Sequence, residues 1–535
     1  MEDFIKYTSS HSGKHEGKQH IIIVGAGIVG VCIAYYITRH PSFDPDQHYV
    51  TIIESKRVAG GASGKAGGLL ALWAFPQQIV PLSFQLHSEL AEEYSGEDLW
   101  DYRRLTTVSL EGDIQKSLKD TEEDEDDDYD DEEGEEDEEE EEGVLEDDED
   151  EEEFQEAEYF HDDENNSYSD DAMSRSSKES ICDNRSTNTD LSSHNGELEH
   201  HHINEHRTQS AISPQSTGSA TSSVEEKATK KKRRTVSKNS IMQNEHDASN
   251  GVKLPTDLNW IKQSAIQDWS MLGGEDTTAQ VHPYKFTNFI LKKAIESGSV
   301  ELIIGKVNEI IFSETTGEAE GVSYIPSTAQ DEQSGNTEPI ELLADQVVLS
   351  VGPWTSKILP DCPISGLRAH SITVLPENGV MVSPYAIFTE LKISKSGFVS
   401  PEVYARKDEV YVCGEGDTAV DVPETTDDVQ VVKEKCDRLF HFVGKLSPNL
   451  RKGRILKRQA CYLPVLDVPS SSGPLIGETN VPRLYLASGH SCWGINNAPG
   501  TGKVMAELLL DGEASSADIS ALDPSLYFDA SVWGE

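Results

Sequence analysis

The stretch from Ile21 to Ile37, IIIVGAGIVGVCIAYYI, is the only long uncharged apolar run in the chain, and its reading decides the fold. As a membrane span it is slightly short, and Gly25, Gly27 and Gly30 would weaken a single continuous helix. Read as strand, turn and helix, every residue has a place. Residues 21–24 (IIIV) are β-branched, residues 25–30 (GAGIVG) form a glycine turn, and an apolar helical stretch runs to Ile37. A second β-branched run, 49–53, follows and ends at Glu54. The pattern GxGxxG thus stands in the setting it requires: a strand before, a helix after, and an acidic residue closing the next strand. This is a Rossmann-like α/β unit for a dinucleotide. Gly25 permits the tight turn, Gly27 lets a pyrophosphate approach the backbone, and Gly30 lets helix and strand pack closely. The helix start offers amide donors and a positive dipole end to phosphate. Glu54 suits ribose hydroxyls and repels a 2′-phosphate, which argues against NADP.

The following segment separates FAD from NAD. Residues 60–69, GGASGKAGGL, come almost directly after Glu54, where an NAD enzyme would continue into its next helix. A second glycine-rich stretch suits a longer ligand whose ribityl chain and second phosphate need close backbone approach. The expected FAD contacts are Gly25, Ala26, Gly27, Ile28, Gly30 and Glu54 from the first unit. From the second they are Ser55, Ala62, Ser63, Gly67, Gly68 and Leu69, with the Ser63 hydroxyl able to donate to phosphate.

The 535-residue chain has a formal charge of −52, unevenly spread. Residues 121–250 hold about 44 acidic and 11 basic side chains, so about −33 of that charge sits there. Residues 114–252 run from an acidic tract through a Ser/Asn/Thr/His stretch to the basic cluster Lys230–Arg234, which reads foremost as a solvated charge run, with a nuclear import signal or a phosphorylation context for Thr235 and Ser237 as the alternatives. Such a segment buries too little apolar surface to offset its ordering entropy, and it is expected to be a disordered insertion in a folded enzyme of roughly 390 residues. The acidity argues against nucleic acid as a partner. The insertion does offer a surface to protein partners. Seven scattered cysteines form no CxxC pair, which points to a reducing compartment and no metal site. Residues 1–19 are polar, without the apolar core of a signal peptide.

Beyond the insertion, helix and strand signals alternate. A mixed helical stretch is expected from Trp260 and a helix over 283–297. Strands are expected at 104–110, 300–311, 345–351 and 483–488, two short runs about a turn at Lys407-Asp408, and a last helix at 501–510. The expected organisation interleaves two domains. An FAD-binding domain of the glutathione-reductase type takes 19–82, 271–360 and 482–515. An α+β substrate domain with an antiparallel sheet takes 83–113, 253–270 and 361–481. Residues 1–18 and 516–535 are expected as tails.

Four segments together resemble the FAD-dependent oxidoreductases of the D-amino-acid oxidase type: the IIIVGAGIVG unit with Glu54, the GASGKAGG loop, DQVVLSVGPW at 345–354, and SGHSCWGINNAPGTG at 488–502. The resemblance covers the chain apart from the insertion and tails. Within the family it is to fungal oxidoreductases, with AQVHPYKF at 279–286 as a feature of that subgroup. It implies that Val307 contacts the adenine, that Gly352 and Trp354 lie near the diphosphate, and that Gly489, His490, Trp493 and Gly494 surround the isoalloxazine ring. It also implies oxidation of a CH–NH or CH–NH2 group of a small molecule, by hydride transfer to flavin N5. The alternative is a flavin-binding protein with little turnover, serving interaction or trafficking. The same resemblance associates the chain with the cytoplasm and late endosome. No catalytic triad or carboxylate pair is evident. The catalytic candidates are His282, His370, Arg406 and His490, with Arg368 as a further arginine. Where amino-acid-oxidising relatives place an arginine for the substrate carboxylate, this chain has Leu463. Cys461 falls where sarcosine oxidases attach the flavin covalently, and it is a candidate for that bond.

Overall fold

The computed structural model describes residues 6–115, 252–335, 338–377, 380–469, 471 and 473–531. The expected insertion, with the Lys230–Arg234 cluster, therefore lies outside the described residues apart from its first and last positions.

The opening stretch folds as strand Gln19–Val24 and helix Ile28–Ile37. Alternate residues of the strand enter two different cores. Ile21 and Ile23 join a cluster with the helix, and Ile22 and Val24 join another on the opposite face. A strand covered on both faces needs apolar residues at every position, which is why this run shows no alternation. The helix is buried nearly all round, so it too is apolar on every side.

Around this strand runs an eight-stranded sheet in the order Ile340–Leu343, Ala319–Pro326, Val300–Phe312, His48–Glu54, Gln19–Val24, Gln346–Leu349, Leu484–Ser488 and Leu475–Glu478. The middle five strands are parallel, and the outer ones pair antiparallel. Helices Val80–Tyr94, Pro283–Ile295 and Gly494–Asp511 pack with Ile28–Ile37 on one face. This sheet order puts the glycine turn where the chain crosses from one side of the first strand to the other, the usual place for a ligand crevice.

A second sheet follows the order Arg454–Leu466, Ile364–Leu375, Val410–Asp417, Glu402–Ala405, Tyr385–Lys392, Thr106–Asp113 and Ile266–Gly273. One face packs on helix Lys433–Leu446 through Ile372, Val374, Val410 and Val412. This sheet is mixed and not purely antiparallel, because Tyr385–Lys392 runs parallel to Thr106–Asp113. Parallel neighbours need a long connection, and more than 250 residues of chain separate these two.

Three further expectations differ. Trp260 starts no helix: it is buried, donates its indole N–H to Ser383 Oγ at 2.9 Å, and leads to the edge strand Ile266–Gly273. The stretch before Gln19 is not a free tail, since Thr8 pairs with Ile303 along the large sheet. Nor is 516–531, whose Leu522 and Ala530 are buried in the two cores of that sheet. In each case a few apolar or backbone groups find partners distant in sequence, which local composition does not reveal.

Candidate functional site

The glycine turn is shaped by contacts that exclude a side chain. Gly25 has φ +103°, and a Cβ there would stand 2.7 Å from the Ser350 carbonyl oxygen. At Gly30 a Cβ would overlap the Gly25 carbonyl and the Ser350 hydroxyl. Helix Ile28–Ile37 therefore starts against the ends of two adjacent strands. Its Ile28 N–H donates to Ser63 Oγ at 2.9 Å, which brings the second glycine-rich segment to the first helix turn. Glu54 accepts from Ala26 N–H at 2.9 Å and Lys56 N–H at 3.1 Å. Burial pushes its carboxyl up, and these hydrogen bonds pull it back toward the ionised form.

A cavity of about 330 Å3 runs from this turn to the start of helix Gly494–Asp511. On its wall stand Gly25, Gly27, Ile28, Glu54, Ser55, Ala62, Ser63, Val307, Gly352, Trp354, His490 and Gly494. Twelve of the sequence-chosen cofactor residues thus share one space, although they come from five separate parts of the chain.

The others lie behind the wall. Ala26 and Gly30 support the turn. Gly67 packs against the Tyr404 and Tyr411 rings, Gly68 takes φ +89°, and Leu69 pairs with Gln280. Gly489 (φ +86°) is a hinge between strand and turn, and Trp493 packs edge-on to Trp73 and Phe75 at ring distances of 5.5 and 6.2 Å. Cys461 is buried away from the wall, opposite Ala369, and burial pushes its thiol up to about 11. The cysteine on the wall is Cys492.

Of the catalytic candidates, only His490 reaches the cavity. It is buried, both its ring nitrogens lack a partner among the described residues, and burial lowers its pKa to about 4, so the ring is neutral at pH 7. His282 caps helix Pro283–Ile295 by accepting from Lys285 N–H at 3.5 Å; burial, then the Arg406 charge, lowers it to about 4. His370 accepts from Val432 N–H at 3.0 Å, off the wall. Arg406 is fully spent on structure. Its guanidinium donates to the Ala66 and Gly67 carbonyls, pairs with Glu409 at 2.6 Å and lies over the Tyr411 ring. Arg368 pairs with Asp417 at 3.0 Å in the second sheet. Neither arginine faces the cavity, and Leu463 with Pro464 occupies the wall instead.

No local signal marks the strap of residues 418–432, which reaches the cavity wall. Glu424 and Thr426 line the wall. Lys306 and Lys357 hold Glu424 at 2.7 and 2.5 Å and keep its carboxyl low, at about 2. Trp354 donates its indole N–H to the Pro423 carbonyl at 2.7 Å, and Arg57 pairs with Asp427 at 3.0 Å. Lys306 sits one residue before the predicted Val307, but its partner is about 120 residues away, so no local signal could have found it.

The residues present fit FAD. The glycine cradle at Gly25 and Gly27 leaves backbone open to a diphosphate, Glu54 stands at the second strand's end, and the orphaned ring nitrogens of His490 mark a polar ligand at the far end. No described helix is long and apolar enough to cross a membrane.

Comparison with known proteins agrees with this geometry. Residues 20–165 and 241–508 match the family described as FAD dependent oxidoreductase, DAO. The Saccharomyces cerevisiae oxidoreductase-like protein TDA3 is 50% identical over 553 residues, covering 99% of each chain. A Schizosaccharomyces pombe relative is 28% identical and covers 95% of this chain and 98% of its own. Among solved structures, glycine oxidase from Geobacillus kaustophilus superposes with a TM-score of 0.52 at 13% identity, covering 95% of this chain and 98% of the other. L-proline dehydrogenase from P. horikoshii gives 0.53 at 14% identity, covering 95% and 97%.

Proposed function

Because the chain belongs to the DAO family of FAD-dependent oxidoreductases, we propose that it oxidises a CH–NH or CH–NH2 bond of a small molecule. When bound, FAD supplies the hydride acceptor at its N5. The protein's share is to bind, orient and exclude water. Glu54 would accept from the ribose hydroxyls, and the amides at the start of helix Ile28–Ile37 would meet the diphosphate with the positive end of the helix dipole. Gly494 and Ile495 bring a second helix start to the opposite end of the cavity. A helix start there stabilises negative charge that develops during reaction. Leu463 and Pro464 close that end with apolar surface.

One observation carries the reading: the neutral His490 at the cavity wall, beside that second helix start and without a partner among the described residues. A neutral imidazole holds one proton and one lone pair, so it can orient an amine without repelling it. Support also comes from the names of the two solved neighbours, a glycine oxidase and a proline dehydrogenase, which share the fold. The test is anaerobic mixing of the purified yellow protein with primary and secondary amino compounds. Bleaching of the flavin bands by at least one of them is expected. If dithionite bleaches the flavin and no amino compound does, the reading fails and a binding role with little turnover takes its place.

A further inference from the structure

On the face of the second sheet that looks away from helix Lys433–Leu446, the half-buried carboxylate of Glu402 has no ion pair among the described residues. Glu402 opens strand Glu402–Ala405, with Cys413 and Phe388 as its cross-strand neighbours. Its Oε2 accepts from the Tyr404 hydroxyl, at very short range, and from the Cys413 thiol at 3.7 Å. Its Oε1 carries no hydrogen bond, and no lysine or arginine pairs with it, among the described residues. The residue is half-buried, so its carboxylate keeps some accessible surface.

Glu402 lies near the end of the cofactor cavity that His490, Cys492 and Gly494 line, close enough for its charge to act on Cys492. Phe388, Tyr404 and Tyr411 pack in one cluster with Trp493, and Trp73 bridges Phe388 and Trp493 at ring distances of 6.3 and 5.5 Å. Cys492, on the cavity wall, feels the Glu402 charge, which adds to burial in raising its thiol. The nearby cations are committed elsewhere. Arg406 is spent on Ala66, Gly67 and Glu409, and Lys65 donates to the Ala460 carbonyl at 3.0 Å. Burial raises the Glu402 carboxyl, so it takes up a proton readily, and an ammonium group beside it would favour its ionised form; the aromatic faces around it attract the same cation.

We propose that the substrate is an amine without a neighbouring carboxylate, and that Glu402 receives its ammonium group. This rests on the oxidation of an amino compound proposed above, and it names the class. The proton step balances simply. An ammonium N–H proton passes to Glu402 Oε1, the carboxylate becomes a carboxylic acid, and the neutral amine keeps the nitrogen lone pair that oxidation of its C–H bond requires. No electron moves in this step.

The test uses the full chain with its bound FAD. Benzylamine and benzoate, which share a ring and differ in charge, are titrated separately while the flavin spectrum is followed. Perturbation by benzylamine and none by benzoate is expected. In Glu402→Gln, binding of benzylamine is expected to weaken at least about thirtyfold, with flavin content unchanged. Benzoate binding with benzylamine silent, or benzylamine binding that Glu402→Gln leaves intact, overturns the proposal. The wild-type titration decides even where the variant does not fold. The two readings fail separately: benzylamine that binds through Glu402 while no amino compound bleaches the flavin refutes turnover and leaves this recognition standing. Bleaching by amino acids alone refutes the amine class and leaves the oxidoreductase reading standing.

Discussion

At Gly30 a single methyl group decides whether the cofactor turn forms. A Cβ there would overlap both the Gly25 carbonyl and the Ser350 hydroxyl, the first being backbone and unable to rotate away. Gly30→Ala is expected to lower stability by about 1–3 kcal/mol and to leave the purified protein nearly free of flavin. Urea unfolding and the absorbance ratio at the flavin and protein bands check the two halves of this prediction. A variant with normal yellow colour would show that the turn relaxes at little cost. Buried histidines act at the same scale. His20, His87, His282 and His490 are each lowered from 6.5 to about 4, with burial the largest cause. A histidine whose folded pKa is depressed takes up its proton more readily in the unfolded chain. Stability from these four is therefore full above pH 6.5 and falls progressively as pH drops from 6.5 to about 4. Urea midpoints measured across that window are expected to decline with acid. Midpoints that stay level would mean that the rings find partners which hold their protons.

Between elements, the strap at 418–432 shows how surface ion pairs serve the cavity without holding up the fold. Glu424 is exposed, and pairs of its kind contribute about 0–1 kcal/mol each. Glu424→Gln is accordingly expected to leave the unfolding midpoint almost unchanged. Flavin loss on dilution is expected to quicken several-fold, and raised salt is expected to mimic the change in the wild type. Equal rates of flavin release in both proteins would assign the strap no part in retention. The strap also shows where sequence reading stops. The first strand, turn and helix were legible because their chemistry is local: β-branched residues, three glycines at fixed spacing, and an acid at the next strand's end. The turn at 488–494 was legible through the resemblance carried by its Gly/His/Trp pattern. What escaped depends on pairing between distant segments: Lys306 with Glu424, Arg406 with Ala66 and Gly67, and the parallel pairing of Tyr385–Lys392 with Thr106–Asp113. Arg406 is the instructive error. An arginine beside an alternating strand looks available for substrate, and only the folded chain reveals that two carbonyls, a carboxylate and an aromatic face already use its guanidinium.

Over the whole molecule, the described wall of the cavity is assembled from residues near 24–66, 305–308, 350–358, 424–426, 463–464 and 487–495. The chain enters that segment just after Ile114 and leaves it just before Leu254, and both residues are buried in the same core beneath the second sheet. The ends to be joined therefore rest on one packed surface. Lengthening a flexible connection between such ends adds only slowly to the entropic cost of closure, roughly 0.6 kcal/mol per doubling of length. Replacing 116–251 by a short Gly/Ser linker should then shift stability by no more than about 2 kcal/mol, in the favourable direction. It should also remove most of the chain's negative charge, since about −33 of the −52 lies in 121–250. Flavin content and the shape of the flavin spectrum are expected to be those of the full chain. Ion-exchange behaviour and any association with basic proteins are expected to change strongly, because the acidic tract is the dominant source of field. A shortened protein that folds but emerges colourless would place the segment inside the cofactor's binding energetics. A yellow one would separate the two parts of the molecule: a folded flavin site that needs nothing from the segment, and a charged segment free to serve partners of its own.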